Sequence, residues 1–306
     1  MFVLLSHLLR LTLFGISTII FRRKKPILGT IIVTDKCNLN CKHCAVNNNT
    51  GEIYPYRQIK NEMNILYEQG IRILFFCGGE TFLWNDQNKT IRDLVAEAKQ
   101  MGFFIVNVVT NGTYPINVPE ADLILLSLDG SRKNHNTIRG DTYDAIMNNI
   151  RNATASNICL YMAINTINLG DIHGVCEVAK QEKNVRAVSF NFHTPYRGTE
   201  SLALTKAQKE KCLNEISRLI KQKYPIFNLQ AAFHAIASNS FKTPCYQCVV
   251  IENGTQSICG RCVEIDGLCD QCGYFFAAEY SMLFNGNIRA GFEMLLTYPK
   301  YLKRDK

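Results

Sequence analysis

The spacing of apolar and polar positions changes character repeatedly along this 306-residue chain. From residue 27 onward, short runs rich in β-branched and aromatic residues alternate with stretches whose apolar residues recur every three or four positions, which predicts strands separated by helices. The predicted strands are Ile27–Thr34, Ile71–Cys77, Phe103–Val109, Leu123–Ser127, Ile158–Ile164 and Val185–Phe190. The predicted helices are Gln58–Gln69, Ile91–Met101, Thr142–Asn152, Ile172–Gln181 and Lys206–Lys223.

Six strands joined in this way predict a parallel α/β sheet with right-handed crossovers. Pro115 and Pro119 argue against a long helix in the third connection. The alternation ends near Pro225, and cysteine-rich sequence follows. We therefore predict three segments, which are an N-terminal segment (1–26), an α/β core (27–224) and a C-terminal extension (225–306).

The N-terminal segment is an apolar stretch, Phe2 to Phe21, with the basic run Arg22–Lys25 directly behind it. A cleavable signal peptide carries its charges in front, so this order excludes one. A membrane span fits the length, but Arg10 near its centre would cost about 2.5–3.5 kcal/mol. A helix lying in the membrane surface avoids that cost and sets the basic run against anionic lipid. The remaining alternative is a helix packed on the protein itself.

The net charge and the cysteine content limit the classes of protein to which this chain can belong. The formal net charge is +8, and its basic clusters are not interleaved with aromatic residues, so we do not expect nucleic acid as a partner. Nine of the 13 cysteines fall into two tight groups. In a chain of this length, such groups indicate metal binding in a reducing compartment. We therefore expect a cytoplasmic protein, associated with the cytoplasmic face of the membrane.

The first cysteine group follows the first predicted strand and consists of Cys37, Cys41 and Cys44. Iron–sulfur clusters normally take four cysteine ligands, so three thiolates would leave one iron open to a small molecule. The alternative is a zinc site that adds His43 as a fourth ligand. His43 is adjacent to Cys44, and such neighbours rarely reach the same small ion, so the residues alone favour iron–sulfur.

This cysteine spacing is one of several motifs that together resemble the radical S-adenosylmethionine (radical SAM) superfamily, over residues 27 to 191. CNLNCKHC matches the common CxxxCxxC signature of that family closely. Further motifs follow successive strands, with Thr81 standing where the family usually has proline. These motifs are Gly78-Gly79-Glu80, Thr110-Asn111-Gly112, and Ser127-Leu128-Asp129-Gly130 continued by His135 and Arg139-Gly140.

The resemblance implies a partial (β/α)6 TIM-type barrel with a small cysteine-rich extension. It implies a [4Fe–4S] cluster on Cys37, Cys41 and Cys44 whose open iron binds S-adenosylmethionine. A one-electron reductant such as ferredoxin or flavodoxin would drive cleavage to a 5′-deoxyadenosyl radical, which takes hydrogen from a substrate. Cofactor binding is implied for His43, Gly78, Gly79, Glu80, Asn111, Ser127, Asp129 and Asn165. Glu80 is a loop carboxylate beside two glycines, so we expect it to matter for cofactor binding more than for folding.

The second cysteine group forms three CxxC pairs, which are Cys245 with Cys248, Cys259 with Cys262, and Cys269 with Cys272. Two such pairs can fold around one zinc ion. Relatives with SLDG motifs often carry an auxiliary cluster in a C-terminal extension (SPASM or twitch), although their cysteine spacing differs. We therefore expect at least one auxiliary [4Fe–4S] cluster here, with zinc as the alternative.

Two substrate classes and one rival function remain open at this point. A peptide substrate is indicated by the SLDG…H…RG pattern, which resembles peptide-modifying members, whereas a membrane lipid is indicated by the N-terminal segment. The rival is a non-catalytic iron–sulfur or zinc-binding membrane-associated protein that serves electron transfer or assembly. Such a protein has no need of the GGE or TNG motifs or of a cluster that lacks its fourth cysteine.

Overall fold

The computed structural model describes residues 25–44, 50–155, 157–242, 245–259 and 265–301, together with the single positions Leu9, Leu13, Ile16, Ser17 and Phe21. The strands are β1 (Leu28–Thr34), β2 (Ile73–Gly78), β3 (Asn85–Asp86), β4 (Lys89–Thr90), β5 (Ile105–Thr110), β6 (Leu123–Ser127), β7 (Ile158–Ile164), β8 (Val185–Phe192), β9 (Cys248–Glu252) and β10 (Thr255–Ile258). The helices are α1 (Tyr56–Glu68), α2 (Ile91–Met101), α3 (Arg132–Arg139), α4 (Tyr143–Arg151), α5 (Ile172–Gln181), α6 (Lys206–Lys221), α7 (Phe233–Ser238), α8 (Phe275–Phe284) and α9 (Ile288–Tyr301).

One large sheet organises the molecule, with the strand order β10-β9-β1-β2-β5-β6-β7-β8. The six predicted strands are all present and neighbour one another in chain order, each pair parallel. Every predicted strand and helix boundary lies within two residues of the observed one. The predicted partial (β/α)6 barrel is therefore confirmed, and its strands bring their carboxyl ends to one edge.

Alternation along the strands separates a helix-covered face from a face that lines the barrel interior. In β2, Leu74 and Phe76 are fully buried beneath the helices, whereas Phe75 and Cys77 point to the other face and stay partly exposed. Helix α8 covers part of this interior face, since its Tyr280 packs with Leu28 of β1. Helix α8 thus fills the barrel interior at the amino end of β1.

The C-terminal extension takes part in the main sheet. β9 pairs with β1 in parallel, with Cys248 opposite Leu28, and β10 returns antiparallel to β9. Helix α1 anchors the hairpin between them, because the buried Glu62 accepts a hydrogen bond from Gly254 N at 2.9 Å. The main sheet therefore extends across the predicted boundary at residue 225, because β9 and β10 belong to it.

The predicted N-terminal segment lies almost entirely outside the described residues. The described positions Leu9, Leu13, Ile16 and Phe21 are between 41% and 68% exposed. Among the helices that the structure describes, none is long and apolar enough to cross a membrane.

Candidate active site

The loop after β1 carries the first cysteine group at the carboxyl edge of the sheet. The carboxylate of Asp35 holds the base of this loop, accepting hydrogen bonds from Thr50 N at 2.8 Å and Glu52 N at 2.9 Å. Burial opposes ionisation of Asp35, but these hydrogen bonds outweigh it and lower the pKa of the carboxyl. These hydrogen bonds therefore fix the backbone where the loop leaves β1.

The thiols of Cys37, Cys41 and Cys44 are all partly exposed. Burial raises the pKa of Cys41 to about 11; the nearby Arg139 guanidinium opposes this rise, and the thiols of Cys44 and Cys37 add to it. Burial likewise raises the pKa of Cys37, with Glu80 and Cys44 adding to the rise. The three thiols are thus near enough for their charges to interact, and a bound metal would reverse the effect by stabilising thiolates.

The predicted cofactor residues Gly78 and Gly79 lie directly against the backbone of the cysteine loop. Gly79 N donates to Thr34 O at 2.8 Å, and Glu80 N donates to Lys36 O at 2.9 Å. A Cβ atom on Gly79 would lie 2.3 Å from Lys36 O, a distance that real side chains essentially never reach. The two glycines are therefore required for the loop to sit where it does.

Glu80 is completely buried, which corrects the expectation that it has little to pack against. Its carboxylate accepts hydrogen bonds at 2.6 Å from both Thr110 Oγ1 and Asn111 N, and a third from Phe82 N at 3.0 Å. Burial raises the pKa of this carboxyl, while the three donors oppose the rise. Glu80 thus ties the GGE motif to the TNG motif inside the protein, a structural role that the sequence did not indicate.

Asn111 continues this linkage to the cysteines. Its side-chain amide donates to Asn38 Oδ1 at 2.9 Å and lies 3.8 Å from Cys37 Sγ. Thr113 donates to its carbonyl oxygen from both the backbone and the hydroxyl group. The TNG motif therefore contacts the cysteine loop directly at Cys37.

The SLDG…H…RG motif reaches the same loop through an ion pair. Asp129 is fully buried and accepts from Arg139 Nε at 2.5 Å and from Ala163 N at 2.9 Å. Burial opposes ionisation of Asp129, but the Arg139 charge and these hydrogen bonds lower the pKa of its carboxyl. Arg139 Nη1 lies 3.8 Å from Cys41 Sγ, so a positive charge faces one of the three thiols.

His43 lies within this ion-pair network. Its Nε2 is 3.2 Å from Arg139 Nη2 and 3.5 Å from Asp129 Oδ2. Burial lowers the pKa of His43 to about 4, with Arg139 lowering it further, so the ring is neutral near pH 7. Its Nε2 thus faces Arg139, whereas its Nδ1 is buried and has no hydrogen-bond partner among the described residues.

Two further predicted cofactor residues lie at neighbouring strand ends. Ser127, the last residue of β6, is 7% exposed. Asn165 follows β7 and is fully buried, and its amide bonds the backbone of its own turn, donating to Ala163 O at 3.1 Å and accepting from Ile167 N at 2.9 Å. The structure therefore gives Asn165 a turn-forming role.

His193 is a site residue that sequence reasoning missed. It directly follows β8, and its ring lies edge-on to His43 with centroids 6.2 Å apart. His193 also lines a cavity of about 210 Å³ together with Lys209 and Asp270, on the flank of β8. A histidine at the end of the sixth barrel strand is the signal that could have identified it.

Two of the C-terminal cysteines are joined through the backbone. Cys259 N donates to Cys248 O at 2.9 Å, and Cys259 adopts a φ of 60°, uncommon outside glycine. Burial raises the pKa of Cys248 to about 12, with Cys245 and Cys272 adding to the rise. Cys248 therefore lies within electrostatic reach of both Cys245 and Cys272. Cys262 lies outside the described residues, and among those described no group of three or more histidine, cysteine or acidic residues is arranged for a single metal ion.

Comparison with known proteins identifies the domain that contains these loops. Residues 31–179 match the Radical SAM superfamily. The sporulation killing factor maturation protein SkfB of Bacillus subtilis is 30% identical over 182 residues, which is 54% of this chain and 42% of that protein. A GTP 3′,8-cyclase of Helicobacter pylori is 24% identical over 263 residues, which is 80% of this chain and 79% of that protein. The chain thus spans less than half of the first relative.

Solved structures agree on the fold. Streptococcus suis SuiB, bound to the precursor peptide SuiA, superposes with a TM-score of 0.63 at 14% identity, covering 87% of this chain and 67% of that one. The enzyme anSMEcpe, with bound AdoMet and a peptide, gives a TM-score of 0.55 at 17% identity, covering 89% of this chain and 84% of that one. At these identities the likeness concerns the fold alone.

Proposed function

Residues 31–179 of this chain form a radical SAM domain, the catalytic domain of an enzyme superfamily, and on this premise we propose that the chain reductively cleaves S-adenosylmethionine and takes hydrogen from a peptide. Cys37, Cys41 and Cys44 are the proposed ligands of the [4Fe–4S] cluster. When bound, the cluster and S-adenosylmethionine supply one-electron cleavage that yields a 5′-deoxyadenosyl radical. A ferredoxin or flavodoxin is the proposed electron donor.

The observation that carries this proposal is the convergence of three motifs on one cysteine loop. Gly79 and Glu80 bond its backbone, Asn111 lies at Cys37, and Arg139 lies at Cys41. An electron-transfer protein needs only thiolates and burial. Fixing three strand ends against the loop instead pre-organises a site beside the cluster where a small molecule can be oriented.

In this proposal the chain's own residues bind, orient and shield the cofactor. Arg139 and Asn111 hold Cys41 and Cys37, and Glu80 keeps the GGE and TNG loops together. The interior face of β2, β5, β6, β7 and β8 is the proposed substrate space, next to the cavity at His193 and Lys209. A bound substrate would have to exclude water from this space, because water exclusion prevents side reactions of a reactive intermediate.

A peptide is the proposed substrate because the SLDG…H…RG pattern resembles peptide-modifying members and because SkfB is a maturation protein. The C-terminal cysteines are proposed to hold at least one auxiliary [4Fe–4S] cluster, supported by the electrostatic reach of Cys248 to both Cys245 and Cys272. The remaining predicted ligands of that extension are Cys259, Cys262 and Cys269.

The test is anaerobic reconstitution with iron and sulfide, followed by reduction in the presence of S-adenosylmethionine. We expect 5′-deoxyadenosine, together with a change in the electron paramagnetic resonance spectrum of the reduced cluster on adding S-adenosylmethionine. Candidate peptides, a lipid extract and GTP would then be supplied in turn. Conversion of GTP or of a lipid would show that the substrate is that compound and not a peptide. Absence of 5′-deoxyadenosine in every case would overturn the proposed function.

For residues 1–26 we propose contact with the cytoplasmic face of an anionic membrane. The exposed apolar positions Leu9, Leu13 and Ile16, spaced by four and three residues, support this proposal. We expect the full chain to sediment with anionic liposomes at low salt and to be partly released at high salt, because basic residues contribute roughly 1 kcal/mol each to such binding. Sedimentation that is unchanged after deletion of residues 1–25 would contradict it.

A further inference from the structure

Helix α9 carries a row of large apolar side chains that no other described part of the protein covers. This row, here called the α9 stripe, consists of Ile288, Phe292, Leu295 and Leu296, which are between 63% and 78% exposed. Their spacing of four, three and one residues sets them on one face of the helix. Single exposed apolar residues are common on protein surfaces, but a contiguous exposed apolar patch marks an interaction site.

The opposite face of α9 is packed firmly on the rest of the protein. Ala290 is fully buried on this face. Glu293 accepts a hydrogen bond from Ala231 N at 2.8 Å, and Tyr298 donates one to the buried Glu279 at 3.1 Å. These contacts fix the rotation of α9 about its own axis, with the stripe directed away from the barrel. The exposure of the stripe is therefore a property of the folded protein and does not come from a loosely placed helix.

Helix α9 lies at the amino end of the barrel strands, where the N-terminal segment also joins the barrel. Met294 of α9 and Ile27 pack against one apolar cluster around Leu28, the first residue of β1. Tyr301, at the end of α9, packs in a second cluster with Leu123, the first residue of β6. The cysteine loop follows the opposite end of β1, which is seven residues long, or roughly 23 Å. One flat surface can therefore contact both the N-terminal segment and α9 while the candidate active site stays clear of it.

The residues around the stripe favour an anionic membrane as its partner. Positions 288–306 contain five basic and two acidic residues, and four of the basic ones fall between Lys300 and Lys306. The N-terminal segment has the same order, an apolar stretch followed by a basic run. Its described positions Leu9, Leu13 and Ile16 are themselves exposed, so they and the α9 stripe do not cover one another. An apolar helix face beside basic residues is typical of helices that lie in the surface of anionic membranes.

The length of α9 suits a helix that lies in the membrane surface and does not cross it. The helix has 14 residues, which corresponds to about 21 Å and is shorter than the hydrocarbon core of about 30 Å. Arg289 and Lys300 lie three turns apart on one flank of the stripe. In this orientation the stripe enters the boundary between headgroups and acyl chains, and the two long basic side chains reach the lipid phosphates.

We propose that the α9 stripe inserts into the surface of an anionic membrane, beside the contact proposed for residues 1–26. The inference goes beyond the proposed cofactor chemistry, and it rests on the earlier membrane proposal only for the shared partner. Two contacts joined in one chain bind more tightly than either contact alone. Together they hold the amino end of the barrel on the membrane, with the cysteine loop at the end that faces away from the lipid.

The first experiment reads insertion of the stripe from the tryptophan fluorescence of the full chain. The sequence has one tryptophan, Trp84, which is 1% exposed and supplies a constant background. In Phe292→Trp, the introduced indole should be quenched by vesicles of phosphatidylglycerol and phosphatidylcholine with brominated acyl chains. Ile53→Trp is the matched control, because Ile53 is also exposed but pairs with Thr34 at the carboxyl end of β1. Quenching in Phe292→Trp that is no greater than in this control would overturn the proposal.

The second experiment measures sedimentation of the chain with unbrominated vesicles of the same two lipids. The triple variant Phe292→Gln/Leu295→Gln/Leu296→Gln removes most of the stripe but keeps good helix formers, and should weaken vesicle binding roughly 10-fold or more. Deletion of residues 1–25 should weaken binding separately, and the combined variant should bind least. Ile53→Gln is the control and should bind like the unmodified chain. Equal binding by the triple variant and the unmodified chain would contradict insertion of the stripe.

Two other occupants of the stripe would give different results, and either result would overturn membrane insertion. A second copy of the chain would give a dimer in analytical ultracentrifugation that the triple variant abolishes. Packing of residues 1–25 on the stripe would give Phe292→Trp a blue-shifted emission without lipid, which deletion of those residues would reverse. The proposed function is tested separately, because 5′-deoxyadenosine formation by the unmodified chain is measured without vesicles. Its absence there would overturn that function alone.

Discussion

The two cysteine groups of this protein are built in different ways. The loop with Cys37, Cys41 and Cys44 is fixed by buried polar side chains from the segments that follow β2, β5 and β6, among them Glu80 and, at the end of α3, Arg139. The cysteines of the extension are fixed instead by a hairpin and by close backbone contacts. The barrel loops therefore fix the geometry of the first group, whereas the geometry of the second group depends on how the extension packs against the barrel.

The docking of the extension is most evident at Gly273. Phe192 N donates to Gly273 O at 2.9 Å, and a Cβ atom on this glycine would lie 2.0 Å from Phe192 O. Asn239 holds the preceding turn by donating to Asp270 O at 2.8 Å. Cys269 and Cys272 are thus carried on a short turn that is hydrogen-bonded to the end of β8.

Gly79→Ala should have the largest effect on the first group. The added methyl would collide with Lys36 O, so the cysteine loop has to move, and we expect cluster incorporation at Cys37, Cys41 and Cys44 to be lost. The measurement is iron content and 5′-deoxyadenosine yield after anaerobic reconstitution. Gly174→Ala is the control, because its Cβ meets open space on α5 and a helical alanine is expected to stabilise by about 0.4–1 kcal/mol. Normal iron content in Gly79→Ala would mean that the loop does not need this close approach.

Replacement of Cys37, Cys41 and Cys44 together by alanine should show whether the extension binds metal without the first group. If the extension is independent, this variant should still bind iron and sulfide after anaerobic reconstitution, at a reduced stoichiometry measured by metal and sulfide analysis. A colourless variant that contains zinc would identify the extension as a zinc ribbon. Loss of all metal would contradict an independent site there.

Glu80→Ala should lower stability as well as cofactor binding, because it leaves Thr110 and the Asn111 N–H without their buried acceptor. Unsatisfied buried donors cost about 1–3 kcal/mol, so we expect a loss of that order in the free energy of unfolding. Denaturant unfolding of the chain checks this, with Glu210→Ala on the exposed face of α6 as the control. An unchanged free energy of unfolding would mean that Glu80 acts only in cofactor binding.

A pH-dependent effect on stability should mark the side of the barrel where α8 packs. Glu279 is buried there and accepts from Leu229 N at 2.9 Å, yet burial raises the pKa of its carboxyl from 4.5 to about 7. The folded state therefore binds this proton more tightly than the unfolded state does. The stabilisation that results from this tighter proton binding is fully present below about pH 4.5. It is lost as the pH rises through about 7, which lowers the free energy of unfolding by up to about 3 kcal/mol.

Glu279→Gln should remove this dependence. Its free energy of unfolding should change less between pH 5 and pH 8 than that of the unmodified chain, as measured by denaturant unfolding at each pH. An identical pH profile for both proteins would show that Glu279 does not titrate in this range.

The barrel was predictable from the sequence because its strands and helices are strongly periodic. Helix α3 was missed since only His135 and Ile138 are buried in it, too few positions for a recognisable apolar stripe. Helix α8 was missed for the opposite reason, because Phe275, Ala278 and Tyr280 are all buried and the helix is apolar on most sides. The parallel pairing of β9 with β1 joins residues more than 200 positions apart, and no local pattern encodes it.

The site was predictable as a set of motifs, but the contacts between them were not. Residue types indicated that Cys37, Cys41 and Cys44 carry the chemistry, and the order of motifs placed their partners at strand ends. The sequence could not indicate that Glu80 faces inward to Asn111, because a carboxylate beside glycines is usually exposed. These contacts depend on neighbouring loops of the barrel, which only the folded chain brings together.

The central claim is that the barrel's strand ends build one cofactor-cleaving centre on the first cysteine group. The most direct test compares 5′-deoxyadenosine formation by the unmodified chain, Cys41→Ala and Cys212→Ala after identical anaerobic reconstitution, with Cys212 as a buried cysteine on α6 that belongs to neither cysteine group. We predict 5′-deoxyadenosine from the unmodified chain and Cys212→Ala, and none from Cys41→Ala in its soluble form. Formation of 5′-deoxyadenosine by Cys41→Ala at the unmodified rate would contradict the account.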